Sequence, residues 1–374
     1  MNSVKNLVLE QWDYNVILVD WELGASMPYL QATANSQLVG RQVALLAAAL
    51  QDIGASVADL HLVAHSLGCH VVGYAGARTP GLARITGLDP AQPYFEGTQP
   101  EVHLDATDAE LVDVIHTDGR NIIFIGIGFT QACGDVDFFP NNGKNQPGCG
   151  DFEENMAGLI YDLETLDIKD IKRLFGCSHD RAHELFEATL REQNCPFVSF
   201  SCRDHAEYES GECQRLDTAT IGRMGMDSVR FNLSGSYYLE TTNDEGAFCM
   251  HYLEVLIQLG DDQEEIHGNI VFVIESSGAT SDLLPGWSSG TAVTPGAEVR
   301  TTLHSPVDPS DLASLHLTWH AQGSGGPRVL RPARLRVRRV DAELRVTTDE
   351  LCSDAAEVGD KETVAFRPCA PAGH

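Results

Sequence analysis

Apolar residues fall into two regimes along this chain. Up to about residue 235, short apolar runs alternate with longer stretches whose apolar positions recur at helical spacing. Val16–Val19 (VILV) predicts a buried strand and Asn35–Leu50 a helix; Leu60–Ala64 (LHLVA) predicts a second strand, and after a Gly-containing turn His70–Arg78 is again helical. Arg84–Leu88 and Leu111–His116 predict two more strands. Strand and helix in alternation imply a mostly parallel sheet of the α/β class. After Phe248 the pattern changes to alternating runs, Tyr252–Leu259, Asn269–Ile274, Ser314–Trp319 and Leu335–Val340, separated by Gly, Pro and Ser clusters. That is the pattern of an antiparallel β-sandwich. The polar stretch Asn232–Ala247 separates the two regimes, so the chain divides into residues 1–235, a linker at 236–247, and residues 248–372.

Charge and cysteine content narrow the function. Lys and Arg number 25 against 54 Asp and Glu, a formal charge of −29, which argues against a nucleic-acid partner because a phosphate backbone would be repelled. The acid is concentrated early: residues 1–245 carry −21 and residues 246–374 carry −8. The longest apolar runs, Ile122–Phe129 and Ala44–Leu50, fall far short of the ~18 residues of a membrane span. Ten cysteines without a CxxC pair favour disulfides over zinc and so an oxidising compartment. Met1–Asn15, however, has no apolar core of signal-peptide type. We expect Met1 to be an internal start or the start of a truncated gene model.

The chemistry centres on Ala64-His65-Ser66-Leu67-Gly68, between a predicted strand and a predicted helix. A strand ending in small-x-Ser-x-Gly and running into a helix is a nucleophile elbow, in which the residues two before and two after the serine must be small. Ala64 stands where the first glycine is usual. The elbow also sets Ser66 at a helix N-terminus, where developing negative charge is favoured. A serine nucleophile needs a base and an orienting acid, in the order Ser, acid, His for hydrolases of this kind. Asp89 follows the next strand in an Asp-Pro turn. Downstream, His179 and His183 are candidate bases, and at i, i+4 they are also a candidate metal pair; His116 after LVDVI is a third candidate base.

The motifs VDW (Val19–Trp21), HLVAHSLGCHVVGYAG (His61–Gly76), RITGLDPAQPYF (Arg84–Phe95), VDVIHTDG (Val112–Gly119), DFFPNNGKNQPGC (Asp137–Cys149) and GCSHDRAHELF (Gly176–Phe186) together resemble the pancreatic lipase family of secreted animal lipases. The resemblance covers residues 15–190. It implies an α/β-hydrolase domain followed by a PLAT-like β-sandwich, secretion, and hydrolysis of acylglycerols at a lipid interface. It also implies Ser66 as nucleophile, Asp89 as acid and His179 as base, leaving His116 and His183 structural. Leu67 N–H would be one oxyanion donor. Phospholipase A1-type activity and a non-catalytic lipid-binding relative are the alternatives.

Further expectations follow from the same resemblance. It pairs Cys149 with Cys177, Cys202 with Cys213 and Cys352 with Cys369, and leaves Cys69, Cys133, Cys195 and Cys249 unassigned, with Cys69 a buried free thiol. Gly150–Gly176 becomes a lid, with a helix-like Leu159–Phe175 whose apolar face turns toward lipid. Asp105 and Asp108, with carbonyls at Pro100 and His103, correspond to a structural calcium loop, hard oxygen donors for a hard cation. Asn232-Leu233-Ser234 is a glycosylation sequon. Seven arginines in Arg328–Arg345 read as a solvated strand face, with an anionic lipid surface or a protein cofactor as partner in the alternative. In the family an HGF-type loop upstream of VDW supplies the second oxyanion donor, on a strand lying between the VDW strand and the elbow strand. We therefore expect Val16–Asp20 to lack its neighbour and this stretch of chain, alone, to be poorly active.

Overall fold

The computed structural model describes residues 1–26, 28–120, 126–149, 168–192, 194–243, 248–288, 294–322 and 328–369, with the side chains of 168–175 excepted. The greater part of the predicted lid, 150–167, lies outside these residues. The chain folds as two units, one built mainly from 1–192 and 222–248, the other mainly from 249–374.

The first unit is organised on a parallel sheet. Its strands β1 (His61–His65), β2 (Arg84–Leu88), β3 (Val112–Ile115), β4 (Val136–Pro140) and β5 (Gly235–Leu239) lie in that order, with His61 opposite Arg84, Ile85 opposite Val112, Asp113 opposite Val136 and Val136 opposite Gly235. β2, β3 and β4 are buried along their whole length, as parallel strands covered on both faces must be; β1, at the end of the order, is half-buried throughout. β5 forms inside the stretch expected to be linker.

Helices α1 (Asn2–Gln11), α2 (Tyr29–Asp52), α3 (Leu67–Gly76) and α4 (Ile168–Arg191) accompany the sheet. α3 follows the elbow and is buried at nearly every position, packing Val71 and Ala75 against Val43 of α2. The two helices meet at Gly40, where a Cβ would stand 2.6 Å from Tyr74 Cβ and 2.6 Å from the Val71 carbonyl. Arg84 anchors the sheet from within. Its guanidinium grips both oxygens of Asp113 at 2.8 and 2.9 Å and donates to the carbonyls of Gly225 and Met226 and to Ser228.

One predicted strand is absent. Val16–Val19 belongs to no strand, and Ile17, Leu18 and Val19 are each about half exposed, at 52%, 48% and 49%. An apolar run becomes a strand only where a neighbour takes its backbone N–H and C=O groups. β1, at the end of the sheet, offers no paired edge to it.

The second unit is an antiparallel sheet curled around its own core. Strands β6 (His251–Leu259), β7 (Gly268–Ser276), β8 (Glu298–Ser305), β9 (Leu312–Ala321), β10 (Pro332–Val340), β11 (Val346–Cys352) and β12 (Thr363–Pro368) pair in the order β7-β9-β12-β11-β10-β6-β8. Alternate residues such as Val255, Ile257, Phe272, Leu317, Trp319 and Val337 fill the core. The arginines of 328–345 are all engaged by carboxylates. Arg334 meets Glu350 at 2.8 Å, Arg336 meets Glu298 and Arg338 meets buried Glu254 at 2.7 Å each, and Arg328, Arg331, Arg339 and Arg345 pair with Asp360, Glu357, Asp349 and Asp341. The stripe is therefore neutralised within its own unit.

Cys149–Cys177 and Cys352–Cys369 are bonded, and so is Cys195–Cys249, which the sequence left unassigned. Cys202 and Cys213 are both oxidised as well, and Cys69 and Cys133 are free thiols. Asn232 is exposed with a left-handed backbone, φ 43°.

Candidate active site

Ser66 sits between β1 and α3 with φ 59° and ψ −129°, a conformation that costs a non-glycine residue of order 1–3 kcal/mol. The turn holds because Ser66 N–H donates to the Leu88 carbonyl of β2 at 2.9 Å and the helix starts at once with Leu67. Ala64 fits where a glycine is usual because its Cβ faces Gly68, and even a Cβ at position 68 would lie 3.5 Å away.

His179 Nε2 lies 2.6 Å from Ser66 Oγ, and His179 Nδ1 donates to Asp89 Oδ2 at 2.6 Å. All three come from places the sheet fixes: the end of β1, the residue after β2 and the middle of α4. Asp89 is fully buried with φ 46°. Its second oxygen, Oδ1, accepts the N–H groups of Thr117 at 2.8 Å and Asp118 at 3.1 Å. These bonds hold the carboxylate aimed at His179.

His116 and His183 stand elsewhere. His116 Nε2 is 2.8 Å from Asp137, with the ring stacked on Phe139. His183 faces His65, ring centroids 5.4 Å apart. Cys69, one turn into α3, has its thiol pushed up by burial and donates weakly to the Ala64 carbonyl, so it is no competing nucleophile.

Two further residues shape the site. Asp118 is buried behind Asp89; burial, then the Asp89 charge, push its carboxyl up, while Arg120, bonded at 2.6 Å, pulls it down. Gly128 faces the acid directly, since a Cβ there would lie 2.3 Å from Asp89 Oδ2 and 2.4 Å from Oδ1. VDVIHTDG contains Asp118, and the local sequence draws attention to its histidine instead. Nothing local marks Gly128.

The proposed calcium residues share one segment. Asp105 Oδ1 accepts Thr107 N–H at 2.7 Å and Asp108 Oδ2 accepts Asp105 N–H at 3.1 Å, closing a reciprocal cap on the turn Ala106–Asp108; the short turn Pro100–Val102 precedes it. Burial, and then the Asp105 charge against the stabilising Asp105 N–H, push the Asp108 carboxyl up to about 7. A buried carboxylate beside a second one is poorly compensated, and with the carbonyls of Pro100 and His103 the donors would all be hard oxygens, the type that calcium takes.

The family description Lipase matches residues 1–248. Mouse (Mus musculus) pancreatic triacylglycerol lipase is 35% identical over 314 residues, 82% of this chain and 65% of that protein. Mouse inactive pancreatic lipase-related protein 1 is 41% identical over 370 residues, 96% of this chain and 74% of that protein. Human (Homo sapiens) pancreatic lipase-related protein 3 is 31% identical over 321 residues, 84% of this chain and 67% of that protein. With a match over the first 248 residues and these identities, the chain belongs to the pancreatic lipase family.

Proposed function

We propose that this chain is a serine carboxylic ester hydrolase of lipase type, cleaving acylglycerols at a lipid interface through an acyl-enzyme. The observation that carries this reading is the hydrogen-bonded line Ser66–His179–Asp89, 2.6 Å at each link, mounted on a strained elbow. Ser66 Oγ attacks the ester carbonyl carbon while His179 Nε2 takes its proton. Asp89 stays ionised, keeps the Nδ1–H tautomer and stabilises the imidazolium. Leu67 N–H, at the start of α3, donates to the oxyanion, a single such donor being worth about 3–4 kcal/mol. His179 then protonates the departing alcohol, and a water that it deprotonates releases the fatty acid.

The acylglycerol substrate is inferred from the name of the mouse triacylglycerol lipase. In the same reading the fold is an α/β hydrolase followed by a PLAT-like β-sandwich. The protein is secreted, which its disulfides favour, and is glycosylated at Asn232. Asp105, Asp108 and the carbonyls of Pro100 and His103 hold a structural calcium, whose chemistry there would be charge neutralisation only.

A second reading is a non-catalytic lipid-binding relative. It is favoured by the similarity to a lipase-related protein named as inactive and by the absence of Val16–Val19 from the sheet. Fluorophosphonate labelling separates the two. A hydrolase labels at Ser66, and Ser66→Ala abolishes both the label and hydrolysis of a triacylglycerol emulsion with its melting temperature unchanged. A folded chain that takes no label supports the second reading.

A further inference from the structure

His179 and His183, one helical turn apart, are a candidate metal pair in sequence, but the fold separates them. His179 commits both ring nitrogens to Asp89 and Ser66. His183 turns instead toward His65, the residue before the nucleophile, and toward Asp180. One ligand atom from each of His65, Asp180 and His183 lies within 4.8 Å of the other two.

The geometry points to a binding site for a zinc-class divalent ion formed by His65, Asp180 and His183. Asp180 and His183 are three residues apart on α4 and share one of its faces, and His65 at the end of β1 meets them. His65 Nε2 lies 2.9 Å from the His179 carbonyl, which can only accept, so Nε2 carries the proton and Nδ1 the lone pair. Metal-ligating histidines are commonly held in this way, the distal N–H donated to a carbonyl that fixes tautomer and ring direction. Two imidazoles and one carboxylate suit Zn²⁺, which accepts three protein ligands and an open position, better than Ca²⁺ or Mg²⁺, which take oxygen. All three residues are half-buried, so the fold holds their side chains in place.

An ion there would act on the neighbouring chemistry, a consequence that rests on the hydrolase reading. The His65 and His179 rings are 4.5 Å apart between centroids. A cation on His65 opposes the positive charge that His179 must take up when Ser66 attacks, and it consumes the negative charge of Asp180. The site is therefore inhibitory.

The test titrates the purified full chain with Zn²⁺ by calorimetry, with excess Ca²⁺ present to mask the oxygen site at Asp105 and Asp108. Wild type is compared with His183→Gln and Asp180→Asn, each first shown to melt cooperatively without zinc. The expected result is one Zn²⁺ per chain in wild type, weakened in each variant by at least the ~10- to 100-fold that outer-shell losses alone cost. Wild type that binds no zinc, or variants that bind it as wild type does, overturns the site; should one variant fail to fold, the other decides. Fluorophosphonate labelling of Ser66 with and without zinc, compared within each variant, tests the consequence. Slowing in wild type that disappears in the variants supports inhibition, and labelling unchanged by bound zinc overturns it. Because calorimetry needs no turnover, failure of the site and failure of the hydrolase reading are distinguishable.

Discussion

Gly128→Ala should cripple Ser66 although residue 128 touches neither substrate nor nucleophile. The added Cβ would stand 2.3 Å from Asp89 Oδ2, 2.4 Å from Oδ1 and 2.5 Å from Cγ. Real Cβ atoms essentially never approach within 3.0 Å of another heavy atom, so something must shift. Asp89 cannot yield freely, because Oδ1 holds two backbone N–H groups and Oδ2 holds His179 at 2.6 Å. Gly128 is also tied, by its N–H to the Asp118 carbonyl at 3.2 Å and by its bridge to Ala91. A misplacement of about 1 Å costs roughly 10²-fold in rate. Full loss of the orienting carboxylate costs ~10⁴ in a well-studied triad. The expected loss lies between, about 3–5.5 kcal/mol of barrier. Rates of fluorophosphonate labelling and p-nitrophenyl ester turnover measure it, with a thermal melt as the control. A double-mutant cycle isolates the cause: once Asp89→Ala has removed the carboxylate, adding Gly128→Ala should cost little more. Equal losses in both backgrounds, or labelling within about threefold of wild type, would refute the steric argument.

Three other outcomes are expected. Arg84→Met leaves Asp113 buried without its partner and should destabilise the first unit by about 3–5 kcal/mol in urea melts, with Arg84→Met/Asp113→Leu recovering much of it. His70 is fully buried, accepts Leu104 N–H on Nδ1 and donates from Nε2 to the Ala91 carbonyl, and burial pushes its pKa down to about 3. Below pH 6.5 the unfolded chain therefore binds a proton the folded one refuses, so stability should fall by up to ~1.4 kcal/mol per pH unit from 6.5 toward 3. His70→Gln should flatten that slope, and identical slopes for both proteins would contradict this assignment. If Asp105 and Asp108 hold calcium, added Ca²⁺ should raise the melting temperature and Asp105→Asn should remove the rise; a calcium effect on turnover with stability unchanged would overturn the structural role.

Local chemistry was legible in the sequence wherever neighbours along the chain supply the physics. The elbow is such a case: small residues around Ser66, a strand before and a helix after are all local demands. The alternation of β7, β9 and β10 is another, because burial on one face of a strand has a period of two whatever its partner. The sequence also held the candidates Asp89 and His179, and family resemblance chose His179 from three histidines that the local pattern left equal.

Tertiary structure decided what depends on a partner distant in sequence. Val16–Val19 is more apolar than β2, yet only β2 has neighbours to take its backbone hydrogen bonds, so one is strand and the other is half-exposed chain. Gly235–Leu239 is the reverse, a strand inside a polar, turn-rich stretch, made by β4 offering it an edge. Spacing could not pair Cys195 with Cys249, since the bond depends on the backbone bringing the two residues within 6.0 Å, Cα to Cα. Gly128 is one glycine among 34 in the sequence, and only the position of Asp89 gives it meaning. The i, i+4 spacing of His179 and His183 left a shared metal ion open as an alternative, but the fold ties the first to Ser66 and Asp89 and leaves the second to face His65. Periodicity reports what a residue's own backbone permits; which of those options is realised depends on the hydrogen-bond and charge partners that folding brings within reach.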